Sequence, residues 1–282
     1  MPTIKVENSR GDLLDFSKHT EYAIIIEDGL TPPTADVVTS AVSMFDGEQF
    51  NYSKLQKRNI VLRIWPTRDV EKNRINLYKW FTSKQWIRLY FSNESRSVYI
   101  DGYVEIMDGG LYSNPQNYQV SIICPDPYFK NVDETFVIGS YVNPLFEFPF
   151  SIDEDGIEFS TYDVVSSVTI ENKSDAEAGM SIVLTATNTV ANPKIYRRDT
   201  LEKFALKFEM QAGDIITINT RKGEKGVKLY RNGVETNIIN SIDRQSKWLQ
   251  LIPGDNLFTY DADDGLIFLN ADFKYNQIYG GV

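Results

Sequence analysis

The sequence predicts a mainly β protein in two parts, an N-terminal β-rich region with one helix followed by a C-terminal β-sandwich, and three observations carry that. Apolar residues fall in short, partly alternating runs separated by turn residues, the pattern of half-buried strands. Aromatic residues make up 13% of the 282 residues, which favours strands. Pro125-Asp126-Pro127 removes two backbone donors just after an apolar run, so a sheet must end there. The junction is therefore expected around residues 125–145, with domains at 1–130 and 131–282.

Taken in order, Tyr22-Ala23-Ile24-Ile25-Ile26 reads as a strand closed by Glu27-Asp28-Gly29. Thr31-Pro32-Pro33-Thr34 forbids regular pairing and marks a loop, and Phe45-Asp46-Gly47-Glu48 reads as a turn. Arg58 to Trp65 alternates only in part, as a strand buried on both faces would, and Pro66 stops it. Asp69 is the expected N-cap of VEKNRINLYKWF, where Ile75, Tyr78 and the pair Leu77 and Phe81 recur at helical steps. Trp86 to Phe91 and Ser97 to Ile100 follow as strands. Asp101-Gly102 is then a turn or a bulge before Tyr103 to Ile106, and Tyr118 to Cys124 closes the half.

The second half shows no convincing helix. Its strands are expected at Val168–Ile170, Met180–Ala186, Phe204–Phe208, Asp214–Asn219, Val227–Tyr230, Val234–Ile239, Trp248–Leu251, Leu257–Tyr260 and Leu266–Leu269. Asn232-Gly233 supplies a two-residue hairpin turn, because both positions tolerate positive φ. About nine short strands at this spacing make a sandwich. No fixed-period repeat or low-complexity tract is present.

The composition is poor in catalytic groups. There is one His and one Cys, and 29 basic residues against 39 acidic ones give a formal charge of −10. His19 lies in a polar stretch that reads as solvated, with no partner spacing for nucleophilic catalysis. Cys124 ends an apolar strand and reads as a buried thiol. Asp261-Ala262-Asp263-Asp264-Gly265 reads as a hairpin tip, its glycine one place early for a calcium loop. Gly223-Glu224-Lys225-Gly226 is a turn too short to cradle phosphate, and Lys194, Tyr196, Arg197 and Arg198 read as a solvated basic loop. No catalytic, cofactor or metal residue is assigned. A lone cysteine makes a reducing, cytoplasm-like folding environment the simpler expectation. The opening MPTIKVENSRGD lacks the pattern of an export signal, and no apolar run is long enough to span a membrane. The acidic balance argues against sequence-specific nucleic-acid binding.

Ser121-Ile122-Ile123-Cys124-Pro125-Asp126-Pro127-Tyr128-Phe129-Lys130 resembles the segment that ends the N-terminal domain of bacteriophage distal tail proteins, components of the tail baseplate hub. Arg58 to Leu62, Leu77 to Phe81 and Val98 to Glu105 come in the family's order. Ala212 to Thr220, Asn232-Gly233 and Trp248 to Asn256 look like its C-terminal galectin-like sandwich. The resemblance implies an N-terminal belt domain forming a six-membered ring, with a galectin-like domain outside it, and Cys124, Pro125, Asp126, Pro127, Tyr128 and Phe129 as a structural junction. It also implies a virion protein at the tail tip, assembled in the host cytoplasm, that joins the tail tube to the host-attachment apparatus, lets DNA pass and does no chemistry. Its partners would be further copies of itself (a homohexamer), the tail tube protein, the tail-tip hub or tail-associated lysin, the tape measure protein and a receptor-binding protein. The alternative is a carbohydrate-binding module whose sandwich contacts surface glycans through Tyr230, Trp248 and Tyr260. A wall hydrolase comes third, lacking a catalytic constellation.

Overall fold

A computed structural model describes residues 3–18, 21–44, 46–110, 112–139, 143–144, 160–161 and 167–282. The chain is mainly β with a single α-helix among these residues, as the sequence predicts. It forms two compact units, one of residues 1–133 with 278–282 and one of residues 134–277.

The first unit contains β1 (Thr3–Asn8), β2 (Leu13–Asp15), β3 (Tyr22–Asp28), β4 (Ala35–Ala41), β5 (Glu48–Leu55), β6 (Arg58–Pro66), α1 (Val70–Trp80), β7 (Trp86–Ser92), β8 (Ser97–Gly109), β9 (Tyr118–Cys124) and β10 (Phe129–Asn131). Its main sheet runs β2-β1-β7-β8-β9-β6-β3, with β10 pairing to β8. β6 alternates strictly instead of burying both faces. Ile60, Leu62 and Ile64 are fully buried, while Arg63 turns to the other face and pairs with Glu27 at 2.6 Å. Asp101-Gly102 is no turn: β8 passes straight through it, and the reversal lies upstream, between β7 and β8. A Cβ on Gly102 would sit 2.7 Å from Ile122 and 2.9 Å from the Cys124 thiol, so the glycine lets β9 approach.

The helix forms where its periodicity places it, but with a different start and a different buried face. Asp69 precedes it in a left-handed conformation (φ 40°) and its side chain caps nothing. Asn73 takes the polar role at the first turn, donating from Nδ2 to the Arg68 carbonyl at 2.7 Å and accepting from the Tyr22 hydroxyl at 3.3 Å. The face toward the core is Asn73, Leu77 and the flanking Phe81, at four-residue steps, whereas Ile75 and Tyr78 are exposed.

The second unit contains β11 (Thr135–Ile138), β12 (Asn143–Pro144), β13 (Ser160–Thr161), β14 (Ser167–Asn172), β15 (Met180–Ala186), β16 (Val190–Ala191), β17 (Lys194–Arg197), β18 (Glu202–Ala205), β19 (Glu209–Met210), β20 (Ile215–Asn219), β21 (Gly226–Arg231), β22 (Val234–Asn237), β23 (Gly254–Asp261) and β24 (Leu269–Tyr275). One sheet runs β11-β24-β15-β20-β21-β22 and the other β14-β23-β17-β18. Phe258 of one packs 5.5 Å from Phe273 of the other, so the two close on a shared core as a sandwich. The Asn232-Gly233 turn joins β21 and β22 with φ 51° and 81°.

Four C-terminal segments depart from expectation. Trp248–Leu251 forms no strand and is held by one bridge, Leu251 to Ala178, and by the Gln250 side-chain amide, which donates to the Thr220 and Trp248 carbonyls. Leu266–Phe268 is a 3₁₀ turn that delivers the chain to β24. Residues 261–265 are therefore a crossover between the two sheets, not a hairpin tip: β23 pairs with β14 and β17, and β24 with β11 and β15. Finally, β25 (Ile278–Tyr279) re-enters the first unit and pairs with β10, carrying residues 278–282 away from the C-terminal domain to which the sequence assigns them.

Candidate assembly interface

The feature of the first unit that the sequence does not announce is a hairpin, β4 with β5. These strands pair with each other and form no ladder with another strand among the described residues. A bulge after Val38 leaves Asn51 unopposed and re-aims the distal part. Residues directly opposite share a face. One face therefore carries Ala35 with Leu55, Val37 with Ser53, and Thr39 with Phe50. Val37 and Phe50 are each 60% exposed. The other face carries Asp36 with Lys54, an ion pair at 4.0 Å, and Val38 with Tyr52. A lone two-stranded hairpin is marginal in water. Two unpaired edges and an uncovered apolar face suit it to pairing with another chain.

Its root is built more firmly than its strands. Gly29 (φ 95°) starts the approach, and a Cβ there would meet the Asn59 carbonyl at 2.4 Å. The Gln56 amide donates to the Thr34 carbonyl at 2.9 Å, closing the hairpin. Arg58, 3% exposed, follows two residues on. Its guanidinium donates to carbonyls of Gly29, Thr31 (2.6 Å), Pro127 (2.7 Å) and Gly280 (2.5 Å), and stacks 4.6 Å over the Phe129 ring. Burial lowers its pKa, with no carboxylate among these partners to oppose that. Carbonyl dipoles solvate the cation instead of water.

The junction string supplies one side of this clamp. Cys124 lies opposite Arg58 in the ladder and is fully buried, which pushes its thiol up to about 12 and leaves it inert at neutral pH. Pro125 and Pro127 bracket the bend, Asp126 accepts from the Tyr128 amide and pairs with Lys130 at 3.4 Å, and Phe129 is fully buried. Nothing in the sequence separates Arg58 from Arg63, because both sit in one apolar strand and only pairing decides which faces inward.

The three aromatic candidates are not brought together. Tyr260 is 3% exposed and its hydroxyl donates to the Gly139 carbonyl at 3.3 Å, so it is a core residue and not a glycan contact. Trp248 is half-buried 5.2 Å from Phe204, with the Lys225 amine 5.7 Å from its ring. Tyr230 is exposed on β21. The basic cluster is likewise no solvated loop: it is β17, with Arg197 buried and paired to Asp199, and Lys194 bonded to Asp263. Asn192 also bonds Asp263, so that carboxylate, held below its usual range by Lys194 and Asn192, ties β17 to the crossover. Among the described residues no cluster of His, Cys, Asp or Glu could hold a metal, and His19 lies outside them.

Residues 173–279 match the family model described as the siphovirus-type tail component, C-terminal domain. That segment is thus similar to this tail component domain. The rest of the chain follows at the level of fold. It is similar to the Dit protein of phage SPP1, whose structure is described as a paradigm of the hub adsorption apparatus in phages infecting Gram-positive bacteria. That likeness has a TM-score of 0.70 and 12% identity and covers 98% of each chain. Chains of the activated phage p2 baseplate, solved with calcium or strontium, match with TM-scores of 0.59 and 0.56 at 11% and 10% identity, again over 98% of each chain. No curated protein matches. The resemblance to phage distal tail proteins and hub components thus holds, since residues 173–279 match a tail component domain model and the chain shares the fold of the SPP1 Dit protein over 98% of its length.

Proposed function

We propose that the protein is a structural component of a phage tail tip, whose copies close side by side into a six-membered ring joining the tail tube to the host-attachment apparatus. The observation that carries this is the β4–β5 hairpin, which leaves Val37, Phe50 and Leu55 exposed on a strand pair with no other ladder among the described residues. A second copy is the natural occupant, because a contact between two different surfaces of identical chains closes a ring after a fixed rotation. The formal charge of −10 fits a ring through which DNA passes without being held by its phosphates. The protein does no chemistry in this reading, and the tail tube, hub or lysin, tape measure and receptor-binding proteins are its partners.

The test is negative-stain microscopy with light scattering of the purified chain, alone and with its tube partner. Rings of six copies are the expected result. A monomer at high concentration with the tube protein present would overturn it.

A further inference from the structure

We infer that residues 278–282 are a positioning strap for the root of the β4–β5 hairpin, so that this segment sets whether the contact arm is held ready. The inference rests on the reading of that hairpin as the arm.

Three independent contacts place the strap on the loop that launches the hairpin. The Val282 amide donates to the Leu30 carbonyl at 3.1 Å. Gly281 lies so close to that loop that a Cβ would come within 3.1 Å of the Leu30 carbonyl and of Pro32. Gly280 receives the Arg58 guanidinium, which on its other branch holds Gly29 and Thr31. The strap thus touches the loop entering the hairpin directly, and reaches the same loop again through Arg58, the first residue of β6 after the hairpin.

The strap is itself anchored. Ile278 and Tyr279 pair with Lys130 and Phe129. Arg96 stacks 4.1 Å over the Tyr279 ring and donates to the Gly281 carbonyl. Tyr279 and Val282 pack against the core of the first unit, as does Leu30. A proline-rich loop has few amides with which to fasten itself, Pro32 and Pro33 having none. The donors that fix its carbonyls come from elsewhere, one from Val282 and two from Arg58.

Hydrogen exchange on the full chain tests this, with Val282→Pro removing one donor and Tyr279→Ala loosening the anchor. Exchange of the Gln56 amide, which reports hairpin closure, should rise about fivefold or more in each variant. Amides of Leu62 in β6 and Ile218 in β20 should be unchanged. An unchanged Gln56 amide in both variants overturns the strap. An equal rise at Leu62 also overturns it, because the segment would then be a general brace of the unit. If Gln56 loosens selectively while the wild-type chain remains monomeric, the strap stands and the ring reading falls.

Discussion

Arg58 shows how much one side chain can decide when water is excluded around it. Its donors serve carbonyls from three separated stretches of chain, so replacing it leaves several buried acceptors without partners. Arg58→Met should lower the unfolding free energy by about 3 kcal/mol, measured by urea denaturation. Arg58→Lys should rescue little, because an ammonium cannot reach the same acceptors in a plane. In the second unit Asp214, 1% exposed, accepts from Arg231 Nε at 2.8 Å and from the Gln211 amide at 2.7 Å. Arg231 and then Gln211 hold its carboxyl below the usual value against the opposing effect of burial. A depressed folded pKa means that the pair's contribution is complete above about pH 4, the unfolded value, and is lost as pH falls through the folded one. Asp214→Asn should therefore destabilise by about 2 kcal/mol at pH 7 and flatten the acid limb of stability against pH. A variant whose acid limb matches wild type would show that Asp214 is not the responsible group.

Among the elements, the helix and the hairpin obey opposite logic. α1 is held by what it buries, and Leu77→Ala should cost about 3 kcal/mol, read as a lower urea midpoint. The hairpin buries little within the chain, so its apolar face can change without unfolding it. Phe50→Asp should leave the urea midpoint within about 0.5 kcal/mol of wild type while abolishing association in sedimentation velocity. A variant that still assembles would remove the hairpin from the interface. The helix was legible because a 3.6-residue period survives in Leu77 and Phe81, although which face turned inward was not. β4 was not legible, because Ala35 to Ala41 reads as mixed polarity: the strand is mostly exposed, so burial within the unit imposes no apolar alternation on it. β17 misled for the reverse reason. Its charges suggest solvent, yet Arg197 is buried beside Asp199 and the Gln250 carbonyl, a pairing that only the fold supplies.

In the whole molecule, the second unit is an insertion. The chain leaves the first unit after Asp133 and returns at Ile278, so the first unit is completed only by residues far along the sequence. Removing residues 278–282 should therefore destabilise the first unit more than the second. Differential scanning calorimetry would show this as a lowered transition that Arg58→Met also lowers and Asp214→Asn does not. Equal loss in both transitions would count against that organisation.

The sequence by itself determined the class of the fold, the single helix, the bend at Pro125-Asp126-Pro127, most strands of the sandwich and the likeness to distal tail proteins, because each is written in local periodicity, turn chemistry or a contiguous string. Tertiary structure alone decided that Arg58 faces inward, that Tyr260 is core, that β4 and β5 form a hairpin pairing with no other strand among the described residues and that residues 278–282 close on its root. Those features depend on which distant backbone groups lack a partner, and a missing hydrogen bond leaves no mark on the residues next to it in sequence.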